Sequence, residues 1–189
     1  MKVILWGARG GLVIPRPETR AHGVNTLCVQ VDNEGEAPIV LDGGMGLPWL
    51  GNTLAQGAFG KGEGHAHILF SHTHWSHIQG VPFCMPMLIP GNRFDFYGRG
   101  NECGSTRDLL LAQMHPTYCP VPNFFIEDIG AEVEVHELNC HVMQLGSTRI
   151  DIAEMGVAHG GICMAYRLTG KEGVLAYLPA VEYLDDEMR

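Results

Sequence analysis

The chain has 189 residues, 46% hydrophobic and 17% charged, enough apolar side chains for one packed core and not the composition of a disordered or low-complexity segment. Twelve Lys and Arg against twenty-one Asp and Glu give a formal net charge of −9, which argues against long nucleic acids and anionic membrane surfaces as partners. Charged residues interrupt every apolar run before the roughly 18 positions a membrane helix needs, and the start has no signal-peptide pattern, so a cytoplasmic protein is expected.

One domain over residues 1–189 is expected, since no linker or internal repeat divides the chain. Lys2 to Trp6 reads as a buried strand, followed by a loop rich in Gly and Pro. Thr26 to Val31 and Ala37 to Leu41, joined by Asn33-Glu34-Gly35, read as a hairpin running into Asp42-Gly43-Gly44. Leu47 to Ala58 has helical spacing, and His67 to Phe70 is a short strand. Ser76 is read as the cap of a helix that begins at His77, and Trp75 as a packing anchor. Phe83, Met85, Met87 and Leu88 form an apolar stretch assigned to the core. Arg93 to Tyr97 is a strand, and Ser105 to Met114 an amphipathic helix capped by Ser105. Glu132 to Leu138, Thr148 to Glu154, Cys163 to Leu168 and Val174 to Leu178 are successive strands. This is a mixed layered domain with sheets inside and helices outside. The six cysteines, Cys28, Cys84, Cys103, Cys119, Cys140 and Cys163, form no C-x-x-C pair and are read as reduced structural thiols.

The chemistry concentrates where the His67–Phe70 strand ends. His72, His74 and His77 fall within six residues. In an extended segment residues two apart face the same way, so His72 and His74 can offer ring nitrogens to one metal ion, with His77 arriving from the helix start. Asp42, before two glycines, is suited to accept backbone N–H bonds and fix the turn beneath this loop. His65 and His67 are read as exposed histidines at a strand edge, and His115 and His141 as isolated. Arg9, Arg16 and Arg20 line the early loop; Arg9 and Arg20 are the candidates for holding an anionic substrate, because guanidinium matches phosphate oxygens in pairs.

The segment His72-Thr73-His74-Trp75-Ser76-His77 resembles the HxHxDH signature of the metallo-β-lactamase superfamily. Trp6-Gly7-Ala8-Arg9-Gly10, Pro17-Glu18-Thr19-Arg20, Leu41-Asp42-Gly43-Gly44-Met45-Gly46 and His159-Gly160-Gly161 are similar, in that order, to motifs of its bacterial phosphodiesterase-like branch. The resemblance implies an α+β fold, a metallo-β-lactamase-like αββα sandwich, here shortened at its C-terminal end. It also implies a metal-dependent hydrolase with a first metal site at His72, His74 and His159. A second site would include His77, but Ser76 stands where the signature has Asp, and Ala180, in Tyr177-Leu178-Pro179-Ala180, where the bridging carboxylate would sit. Glu182, Asp185 and Asp186 follow and are read as a solvated acidic tail, a substitute ligand among them being the alternative. The expectation is therefore a single ion, zinc first and iron or manganese as alternatives, with weak activity on a small anionic substrate. The competing expectation is a catalytically inactive relative acting as a binding or sensing module. The shortened end is expected to bare a sheet edge and to drive formation of a homodimer.

Overall fold

The computed structural model describes residues 1–11, 13–17, 21–121, 130–156 and 161–180; His159, Arg20, Glu182, Asp185 and Asp186 lie outside them. Six strands, β1 (Lys2–Gly7), β2 (Cys28–Asp32), β3 (Ile39–Leu41), β4 (His65–Leu69), β5 (Arg93–Gly98) and β6 (Glu132–Glu137), form one sheet in that spatial order. β1 to β3 pair antiparallel and β3 to β6 parallel. A second sheet holds β7 (Val142–Leu145), β8 (Thr148–Gly156), β9 (Ile162–Gly170) and β10 (Gly173–Tyr177), antiparallel throughout in the order β10-β9-β8-β7. Helices α1 (Gly46–Leu54), α2 (Trp75–Ile78) and α3 (Thr106–Gln113) complete the described elements.

Strand alternation builds two apolar layers. Val40, Ala66, Ile68, Phe94 and Phe96 point to Leu47, Leu50, Ile78, Leu110 and Met114 of the helices. Val29, Val31, Ile39, Leu41 and Leu69 point the other way, against Ile150, Ile152, Met164, Tyr166 and Leu168 of the second sheet. The described helices all pack on the six-stranded sheet, so three of the four expected layers are seen among the described residues.

Several local expectations need correction. β1 is an edge strand rather than a buried one: it ends the six-stranded sheet, and Val3 is 42% and Leu5 67% exposed. α1 stops at Leu54, and a separate 3-10 turn spans Ala58–Lys61. α2 begins at Trp75 with His74 at its cap position, so Ser76 sits inside the first turn and caps nothing. Trp75 is 73% exposed and anchors no core; Met87 is buried, whereas Phe83 and Met85 are exposed. β7 was not expected from its sequence, since only Leu145 of its four residues is buried. The Ser105 cap forms as expected, in a reciprocal capping box with Asp108. Cys28, Cys84, Cys119 and Cys163 are buried and Cys103 and Cys140 exposed, none in a disulfide. No helix among the described residues is long and apolar enough to cross a membrane.

Candidate metal centre at the histidine loop

Parallel strands β3 and β4 end side by side, with Leu41 in register with Leu69. The residues that follow them, Asp42 and Ser71, therefore meet at the same edge. Asp42 is fully buried and has φ +61°, a left-handed conformation that a short polar side chain tolerates. Its Oδ1 accepts the Ser71 backbone N–H at 2.7 Å. Its Oδ2 accepts the Ser71 hydroxyl at 2.8 Å and the Tyr177 hydroxyl at 2.6 Å, and lies 2.7 Å from His77 Nδ1. The expected supporting role of Asp42 is thus a four-contact hub. The Asp42-Gly43-Gly44 turn is also laced to α2: Gly43 N–H donates to the His77 carbonyl at 2.6 Å, and Gly80 N–H to the Gly43 carbonyl at 2.8 Å. A methyl group on Gly44 would overlap the Ser76 carbonyl oxygen, which is why this position has no side chain.

The hub assigns ring protons by its hydrogen bonds. His77 Nδ1 faces a carboxylate, so it carries the proton and leaves the lone pair on Nε2. Ser71 has one hydroxyl proton, which goes to Asp42; its oxygen, 3.0 Å from His72 Nδ1, then accepts from that ring, and His72 likewise keeps its lone pair on Nε2. An imidazole whose outer nitrogen is held by a fixed acceptor is oriented for metal ligation through the other. The His72 ring centroid lies 4.5 Å from that of His74 and 4.0 Å from that of His77. His77 is buried, His72 half-buried and His74 exposed, so the cluster opens from the core toward solvent.

Tyr177 is the last residue of β10, and burial followed by the Asp42 charge pushes its phenol far above the ordinary range, keeping it a proton donor. Cys163 lies in the same neighbourhood. Burial raises its thiol to about 11, against the lowering effect of hydrogen bonds with Ser71 and the Ala180 backbone, so it stays a thiol at neutral pH. The Ala180 backbone thus lies next to Cys163, and its methyl group offers no ligand atom.

Outside the loop, a cavity of about 460 Å³ is lined by His72, Thr73, His74, Arg99, Asn101 and Cys103, among others. Arg99 is held by the Leu138 carbonyl at 2.9 Å, Asn139 Oδ1 at 3.1 Å and Glu154 at 3.4 Å. Arg9 instead donates its Nε to the Gly23 carbonyl at 3.1 Å and does not line this cavity. The sequence gives no local signal for Arg99, because it follows β5 rather than a recognisable motif.

His65 and His67 are not strand-edge residues. β4 lies between β3 and β5, and both rings lean on Asp95 of β5. Among the described residues, two sets of three donors bring their ligand atoms within 4.8 Å of one another, His65-His67-Asp95 and Asp95-Glu134-His136, both on β4 to β6 and apart from the loop.

No family model and no curated protein matches the sequence. Solved structures do. The metallo-beta-lactamase fold protein YhfI from Bacillus subtilis superposes with a TM-score of 0.60 at 15% identity, over 98% of this chain and 64% of that one. Zn(2+)-bound PqqB from Methylobacterium extorquens gives a TM-score of 0.57 at 13% identity, over 98% and 65%. A diphosphatase from the PhnP family gives 0.54 at 18% identity, over 88% and 61%. The chain thus spans less than two thirds of the length of these structures. With two facing sheets, helices packed on one of them and a histidine loop at the end of β4, the chain has the metallo-β-lactamase fold.

Proposed function

We propose that this chain is a metal-dependent hydrolase of the phosphodiesterase-like kind, with weak activity, that holds one zinc ion at His72, His74 and His159. The observation that carries the reading is the Asp42–Ser71 hub, which orients the rings of His72 and His77 for ligation through Nε2, with His72 and His74 lining a cavity that bears Arg99. Neutral imidazoles fixed in this way fit zinc, with iron or manganese as alternatives. The zinc-bound state of PqqB, in the same fold, supports a metal. Such an ion supplies Lewis acidity and lowers the pKa of a coordinated water toward about 7. The chain's own residues do the rest. Asp42 and Ser71 orient the rings, Tyr177 keeps a proton on the hub, and Arg99 holds an anionic oxygen of the substrate. The diphosphatase described above supports a phosphoryl compound as that substrate.

Ser76 and Ala180 favour a second reading, a catalytically inactive relative used as a binding or sensing module. A hydroxyl and a methyl cannot replace two carboxylates, either as ligands or as the base that positions water. Metal per chain, measured by plasma mass spectrometry on protein purified without chelator, and hydrolysis of bis-p-nitrophenyl phosphate with added zinc or manganese separate the two. The hydrolase reading expects turnover that His74→Ala abolishes and that Ser76→Asp with Ala180→Asp increases at least tenfold. No turnover in any of these proteins leaves the module.

The proposal includes a small anionic substrate rather than a long nucleic acid or a membrane, which the net charge of −9 supports. It includes a cytoplasmic location, supported by cysteines that are all free. It also includes a homodimer, supported by the exposed apolar margin of β1.

A further inference from the structure

The face of β4, β5 and β6 that turns away from the helices carries a second concentration of ligating groups. Parallel register places His67 beside Asp95 and Glu134, with Arg93 next to His65 and His136 next to Tyr97. Asp95 sits at the centre, 3% exposed. Its Oδ2 is 2.6 Å from His65 Nε2 and 3.6 Å from His67 Nδ1, while its Oδ1 takes His136 Nε2 and an Arg93 N–H, each at 3.1 Å. Two imidazole nitrogens therefore converge on one carboxylate oxygen, and the rings themselves are 4.6 Å apart. The other carboxylate oxygen is braced by His136 and Arg93, and Arg93 has a second acceptor in Glu134 at 3.2 Å. Tyr97 stacks on His136 at 4.7 Å, and its hydroxyl reaches within 3.4 Å of His67 Nδ1.

We infer that His65, His67 and Asp95 form a binding site for a late first-row divalent cation, distinct from the histidine loop. The donor atoms lie within 4.8 Å of one another, as ligands around one ion of this class must. Two imidazoles and a carboxylate are a borderline set, suited to zinc, nickel or cobalt rather than to calcium or magnesium. The His65 side chain is 40% exposed, which leaves a route for the ion and room for water as the fourth ligand. β4 links the two places: His65 and His67 stand on the strand, and the histidine loop follows its far end, His72 lying roughly 15 Å of extended chain beyond His67. The ion would tie β4 to β5, with His136 of β6 holding the carboxylate in place.

Cobalt(II) titration of the metal-stripped full-length chain, followed by its visible absorption bands, tests the site. It is read alongside zinc stoichiometry by mass spectrometry in the unaltered chain and in His65→Gln/His67→Gln. The expected result is that the double variant holds one ion fewer per chain. A His72→Ala/His74→Ala variant should still bind one cobalt with a four-coordinate spectrum. If the double variant keeps the full stoichiometry, or the loop variant binds no cobalt at micromolar concentration, the inference is overturned. His65→Gln alone, at a half-exposed position, repeats the measurement should the double variant fold poorly. The loop variant's spectrum does not depend on phosphodiester turnover, so this site and the hydrolase reading can fail separately.

Discussion

Tyr177 Oη and Asp42 Oδ2 are 135 residues apart in the chain and 2.6 Å apart in the fold. The bond joins the end of β10, in the second sheet, to the turn after β3, in the first, and does so beneath the histidine loop. A second latch lies alongside it, the Tyr166 hydroxyl donating to the Phe70 carbonyl at 2.6 Å. The two sheets are thus fastened at the end where the candidate metal ligands stand.

Asp42→Asn should test the hub while sparing the backbone, because Asn accepts a positive φ almost as readily as Asp. Losing hydrogen bonds to a buried charge is expected to cost about 2 kcal/mol of stability, and Asp42→Ala about 1 kcal/mol more through its strained φ. Tyr177→Phe should cost about 1 kcal/mol on its own. In a urea-unfolding double-mutant cycle, Tyr177→Phe should have almost no effect once Asp42 is Asn. Additive costs would show that the two residues do not act on one another.

The Asp95 cluster should leave a signature in acid. Burial works against ionisation of Asp95, but hydrogen bonds from His65, His136 and Arg93 outweigh it and hold the carboxyl at about 2 instead of 3.8. A folded-state pKa below the unfolded one means that the stabilisation is fully present above about pH 4 and is lost as pH falls toward 2. In metal-free protein, the stability advantage of the native chain over Asp95→Asn should shrink as pH falls from 4 to 2. A gap that stays constant down to pH 2 would refute the assignment.

Arg99→Met keeps much of the stem that lines the cavity and removes the charge. If Arg99 holds an anionic substrate, KM for a phosphodiester should rise about tenfold, equivalent to ~1.4 kcal/mol, with kcat changed far less. Arg9→Met should leave both constants as they are, since Arg9 is turned to the Gly23 carbonyl. Equal effects from the two variants would remove Arg99 from the substrate site.

The exposed margin of β1 leads to a test of assembly. Val3→Lys with Leu5→Lys should turn a dimer into a monomer in sedimentation at micromolar concentration, with little change in the circular dichroism spectrum. A native chain that already sediments as a monomer would dispose of the homodimer.

Much of this fold is legible locally. The β-branched runs of β2, β3, β8 and β9, the Ser105-x-x-Asp108 box and the His72-x-His74 spacing each carry their meaning within a few residues. What could not be read depends on neighbours brought in from afar. His65 and His67 look like exposed polar residues until parallel pairing sets Asp95, some thirty positions later, beside them. Arg99 becomes a cavity residue only because the segment after β5 meets the histidine loop and the start of β9, three stretches far apart in the chain. Lys2 to Trp6 has the composition of an inner strand, and its place at the margin follows from sheet order, which short apolar runs do not encode.

β4 has only five residues, and its alternation is asymmetric: Ala66 and Ile68 fill the helix layer, while His65 and His67 occupy the opposite face. A one-residue slip against β3 and β5 would drive both imidazoles into the apolar helix layer and strip Asp95 of two of its partners. The same slip would displace Ser71 from Asp42 and misplace the histidine loop. Errors in pairing are therefore penalised at both ends of one short strand at once. The polar residues that prepare it for chemistry also act as proofreaders of its folding.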